Sequence, residues 1–130
     1  MNKDVILFEN CDLDKAIEKK FKKYILEVDD AIEAHGFKNT SYIDYAEDSI
    51  FKLQNSTKKN FKEHGSSILF TNLLESSLNN VVDNIVNYTI EDTIIRNKNY
   101  PSEKLDKKAY NLHEDLKFLN ERLLNSFKTL

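Results

Sequence analysis

Apolar residues recur every three or four positions along most of the chain, the spacing that gathers them on one face of an α-helix. Leu13, Ile17, Phe21, Tyr24, Ile25, Val28 and Ile32 fall on one side of such a wheel and predict a first helix from about Asp12 to His35. Asp12 or Asp14 can cap it, since a carboxylate accepts from the free N–H groups of a helix start. Gly36 ends it, because glycine enters the left-handed region without strain. A second helix is predicted from about Ser41 to His64, capped by Thr40 or Ser41. Its stripe is Ile43, Ala46, Ile50, Leu53, Thr57 and Phe61, and Gly65 closes it.

Ser66 or Ser67 then opens a third helix after almost no loop. Around Leu78, the residues Phe70, Leu74, Val81, Val82, Ile85 and Val86 occupy an arc of about 160°, wide for a surface helix. Thr89, Thr93 and the Ile94–Ile95 pair change the phase, so a break is expected between Tyr88 and Glu91. Pro101 disfavours helix at Tyr100 and stops the element. A fourth helix starts at Ser102 as its cap. Leu105, Ala109, Leu112, Leu116, Leu119, Leu123 and Phe127 form a seam only about 80° wide, nearly a heptad.

These elements predict an all-α protein, a four-helix and mostly antiparallel bundle in one domain spanning residues 1–130. Residues 1–11 are read as a short apolar N-terminal arm laid on the bundle. "VILF" at 5–8 could also be one strand, or a helical extension. The alternative architecture is a three-helix core whose fourth helix pairs with another copy, a homodimer through the fourth-helix seam.

Composition sharpens this picture. Among 130 residues there are 2 glycines and 1 proline, too few for the many turns of a compact sheet fold. The same scarcity rules out a glycine-rich phosphate loop. The single cysteine, Cys11, cannot form an internal disulfide, which fits a reducing compartment. No apolar run is long enough to span a membrane and the start lacks signal-peptide features, so a cytoplasmic protein is expected. The net charge of −3 gives no general reason to bind nucleic acid.

The placement of charge says more than the total. No Lys or Arg occurs from Glu63 through Ile95. The outer side of the third helix carries Asn72, Ser76, Asn79, Asn80, Asp83, Asn84 and Asn87 instead. Asn and Ser compete with the helix backbone for hydrogen bonds and each costs roughly 0.5 kcal/mol relative to Ala. Either a general Asn/Lys bias of the chain or a partner-facing surface accounts for them; uncharged amides bond a partner without a large desolvation cost. Phe51, Tyr110 and Phe118 lie off their stripes, where large aromatics serve partner contacts. The candidate partner-binding residues are Asn80, Asp83, Asn84, Asn87, Tyr110 and Phe118.

Glu75 interrupts the most apolar stretch, about 60° from Leu78 on the wheel. It is either a carboxylate that reaches solvent or a lysine, or a possible buried carboxylate. No metal site is expected: His35, His64 and His113 have no Glu or Asp three residues before them, the pairing a di-iron bundle needs. No cofactor and no assembled nucleophile are expected either. The lysines of "KKFKKY" and "KKNFK" accompany Phe21, Tyr24 and Phe61, which belong to core stripes and are not free to stack on bases.

At "ILFTNLLESSLNNVVDNI", residues 68–85, the chain resembles a helix of the HEPN superfamily: Leu74, Glu75, Ser76 and Asn79 follow its pattern of apolar run, Glu-Ser and Asn. That resemblance implies an all-helical bundle, related to ribonucleases or their inactive relatives in toxin–antitoxin and antiphage systems. Active members carry an Arg-x4-6-His motif. Here Arg96–Asn97 begins one, but positions 101–103 are Pro101, Ser102 and Glu103, so the histidine is missing. Two functions follow as expectations. One is a non-enzymatic inhibitor, immunity protein or antitoxin that binds a protein partner, such as a basic toxin or nuclease. The other is a HEPN-like RNA- or nucleotide-binding module without that catalytic site, contacting phosphate through Arg96, Asn97 and Lys98.

Overall fold

The computed structural model describes residues 3–37, 40–65 and 67–129, with side chains described from residue 12 onward and, in the second helix, from residue 43. It is an antiparallel four-helix bundle: α1 (Lys3–Ala34), α2 (Thr40–His64), α3 (Ile68–Arg96) and α4 (Ser102–Lys128). The helices form a ring, with α1 and α3 each packed on both α2 and α4. This is the arrangement that short connections between long helices favour.

The predicted stripes form the core. Ile17, Phe21, Tyr24, Ile25, Val28 and Ile32 of α1 are buried, as are Ala46, Ile50, Leu53 and Thr57 of α2. On α3 and α4 the core includes Phe70, Leu74, Leu78, Val82 and Ile85, facing Leu105, Leu112, Leu116 and Phe127. Most of the α4 seam is therefore buried within a four-helix bundle rather than standing apart from a three-helix core. One phenylalanine from each helix meets at one end: Phe61 stands edge-on to Phe70 at 4.9 Å, and Phe127 lies 6.0 Å from Phe21 and 5.8 Å from Phe70. Tyr45 and Tyr88 stack at 4.3 Å to join α2 to α3.

Both glycines are helix stops. Gly36, at φ 85°, donates to the Glu33 carbonyl while Phe37 donates to Ile32, the paired bonds of a Schellman cap. Phe37 and Ile32 are both buried, the apolar contact that accompanies this cap. Gly65, at φ 62°, donates to the Phe61 carbonyl at 2.7 Å.

Four expectations about the elements change. Val5–Phe8 are neither a strand nor a separate arm, because α1 is helical from Lys3; nothing in "KDVILFENC" breaks a helix. Asp12 and Asp14 are consequently interior residues rather than caps, and Asp14 bonds Lys62 of α2 at 3.1 Å. No break separates Tyr88 from Glu91. The hydroxyls of Thr89 and Thr93 donate to the carbonyls four residues back, at 2.8 and 2.7 Å, so both fit inside a continuous helix. Ile94 and Ile95 simply leave the core face and are exposed. At α4, Pro101 rather than Ser102 holds the cap position, its carbonyl accepting from Leu105 at 3.0 Å. For α3, Ser67 is the cap, accepting from the Phe70 N–H at 3.3 Å; the other candidate, Ser66, lies outside the described residues, as do the side chains of Thr40 and Ser41.

Candidate functional site

The helical period that buries Leu74, Leu78, Val82 and Ile85 necessarily turns the intervening residues outward. Asn72, Ser76, Asn79, Asn80, Asp83, Asn84 and Asn87 are all exposed. The outer side of α3 is thus a continuous amide and hydroxyl surface whose only charges are acidic. Tyr110 and Phe118 are likewise exposed, at 65% and 60%.

These residues are only partly brought together. Asp83 Oδ1 accepts from His113 Nε2 of α4 at 3.0 Å, joining the edge of α4 to the amide face. Tyr110 lies one turn before His113 and about 60° further round α4, toward solvent. Phe118 is about 140° from His113 and points away from the bundle on a different side. Asp83 alone of the predicted residues is tied to α4, through His113, while Tyr110 and Phe118 are separate exposed rings on the outer side of α4. Phe51 is also exposed, beside Leu26 on the α1–α2 groove.

Glu75 is exposed and is not a buried carboxylate. Its position at the border of the apolar arc puts it over the α3–α4 cleft with Lys117, Asn120 and Glu121, where the carboxylate meets solvent. Arg96 ends α3 with its guanidinium on Asp92 at 2.6 Å. Asn97 closes the helix, donating its N–H to Thr93 at 2.9 Å, and Lys98 is exposed in the following turn.

Two polar contacts were not visible in the sequence pattern. The first is Asn120, buried on α4. It accepts from the Tyr24 hydroxyl of α1 and donates to the Leu78 carbonyl of α3, at 3.1 Å, tying three helices at mid-bundle. Burial pushes the Tyr24 phenol far above its ordinary range, so it remains a donor. The expected seam residue Leu119 is only half-buried, and Asn120 takes its place. The second is a carboxyl–carboxyl contact between Asp29 of α1 and Glu47 of α2. Asp29 is pushed up to about 7, first by burial, then by its hydrogen bond to Glu47 and by the charges of Glu47, Asp30 and Glu33. Its Oδ1 is enclosed without a hydrogen-bond partner.

Among the described residues no group of His, Cys, Asp and Glu is placed to hold a metal ion, and no helix is long and apolar enough to cross a membrane. His35 instead bridges to Asp115 at 2.6 Å, and His64 lies 3.7 Å from Glu63. No protein-family model matches the chain, and no curated protein or solved structure is significantly similar to it.

Proposed function

We propose that this chain is a non-catalytic protein-binding module whose contact surface is the outer face of α3, in the manner of an inhibitor, immunity protein or antitoxin. The observation that carries this reading is the face itself. Six amide or hydroxyl residues stand exposed along it beside Asp83, each a poor choice for helix stability. A solvated face built for stability alone would carry paired Lys and Glu, as the rest of this chain does. Asp83 and Glu91 leave the face acidic, with no Lys or Arg on α3 before Arg96. Such a surface complements a basic partner, for example a toxin or nuclease that presents a groove for nucleic acid.

The test is affinity capture with the tagged chain, comparing wild type with Asp83→Lys and Phe118→Ala. A basic protein retained by wild type and by Phe118→Ala, but lost from Asp83→Lys, supports the α3 face. An unchanged set of partners across all three proteins rejects it. The RNA-binding alternative draws no support from the α3 terminus, where Asp92 engages Arg96 and Asn97 serves as a helix end. Labelled RNA is expected to show no retention at low or moderate salt.

A further inference from the structure

We propose that the outer face of α3 is self-complementary, so that two copies of this chain pair through antiparallel α3 helices. This rests on reading that face as a binding surface and names one occupant for it, a second copy that covers the face when no other partner does. The apolar exposure of the molecule points there. Of nine large hydrophobics left exposed among the described residues, five lie on α3: Ile68, Leu69, Leu73, Ile94 and Ile95. They sit at its two ends, flanking the amides.

A second heptad-spaced stripe, on the side opposite the core, links three of them, Leu69, Leu73 and Ile94. Its first half is Leu69, Leu73, Ser76 and Asn80; its second half is Asp83, Asn87, Ile90 and Ile94. The steps alternate four and three without interruption, the spacing that keeps a seam facing a partner helix. All are exposed except Ile90, which is half-buried, packs partly against the core of its own chain and presents only its remaining surface. The polarity is a palindrome: two apolar, two polar, two polar, two apolar. A two-fold axis between Asn80 and Asp83 therefore sets Leu69 against Ile94 of the other copy, Leu73 against Ile90, Ser76 against Asn87 and Asn80 against Asp83. Isologous pairing requires such self-complementarity. A parallel pairing would set the two Asp83 carboxylates level with each other, and central polar residues of this kind select one register. In the antiparallel register Asn80 can donate to Asp83 of the other copy, and the two helix dipoles oppose.

The size of the contact fixes its strength. Leu69 to Ile94 spans about 37 Å at 1.5 Å per residue, and a helix with side chains is about 10 Å wide. That covers roughly 370 Å² on each copy, below the 800 Å² per partner of a standard stable interface. The pair is therefore weak and concentration-dependent rather than obligate, and a heterologous partner can displace it.

Sedimentation equilibrium of the whole chain from about 1 µM to 1 mM tests this, with Leu73→Asp and Ile94→Asp as variants. Both positions are exposed, and circular dichroism verifies that the variants fold. A wild-type dimer that each variant weakens at least about 100-fold supports the proposal, since a charge placed in an apolar contact is strongly disfavoured. Orientation is read in a Cys11→Ser background by mixing Leu69→Cys with Ile94→Cys chains. Preferential cross-linking of 69 to 94 is expected, and 69 to 69 would overturn the antiparallel register. A wild type that stays monomeric up to 1 mM, or a dimer indifferent to both Asp variants, also overturns it. A monomeric wild type that still shows Asp83-dependent capture of a basic partner would sink self-pairing alone; a monomeric wild type without such capture would sink the binding face as well.

Discussion

Tyr24 and Asp29 lie five residues apart on α1, and each carries a polar group into a junction between helices, with opposite results. Tyr24 meets Asn120, whose amide accepts from it and still has a donor for the Leu78 carbonyl. Asp29 meets Glu47, a group of its own kind, and keeps one enclosed oxygen without a partner. A polar residue between helices strengthens a bundle when its partner has the complementary half of the hydrogen bond. When the partner has the same half, a proton must be borrowed from solvent to complete it.

The largest effect is expected where complementarity is fullest. Asn120→Ala strands both the Tyr24 hydroxyl and the Leu78 carbonyl, and should lower stability by about 2–3 kcal/mol in chemical denaturation. Tyr24→Phe removes only the hydroxyl and leaves the Asn120 oxygen short of a donor, for a loss of about 1–2 kcal/mol. If Asn120→Leu proved as stable as wild type, the network would specify register without adding stability.

On the other side of the contrast, stability should respond to pH. The Asp29 carboxyl is raised from 3.8 to about 7, so the folded chain binds a proton more tightly than the unfolded chain does. Its contribution is fully present below about pH 4 and is lost as pH rises through 7. Asp29→Asn should therefore raise the melting temperature at pH 8 but not at pH 4. After screening by solvent around this half-exposed group, the gain is about 1 kcal/mol. A melting temperature with the same pH profile in wild type and Asp29→Asn would remove Asp29 from this role. The smallest effect belongs to Glu75. Glu75→Gln and Glu75→Leu should each stay within about 0.5 kcal/mol of wild type, as exposed positions do; a large change in either would mean that the carboxylate is engaged after all.

Most of the architecture was legible because it depends on period alone. The six expected α1 positions from Ile17 to Ile32 are buried, and the amides expected outside α3 are outside. The failures came where period is silent or misleading. Reading apolar letters favoured Leu119, three after Leu116, whereas the straight helix drifts from the heptad and presents Asn120, four after it. Asp29 and Glu47 each follow a core residue by one position, which marks an edge of the stripe. Which edges face each other depends on the handedness of the ring, and spacing does not encode that. Tyr110 and Phe118 illustrate the same limit: both are off the seam and exposed, and spacing alone does not say which neighbouring helix either stands beside.

The four phenylalanines that meet at one end of the bundle, one from every helix, divide the aromatic cluster equally between the two halves of the chain. A cut between α2 and α3 would leave each fragment with two open rings whose missing neighbours exist only on the other. Neither hairpin should hold its shape in isolation, while an equimolar mixture should regain helix cooperatively. The molecule would then behave as a two-piece complementation system.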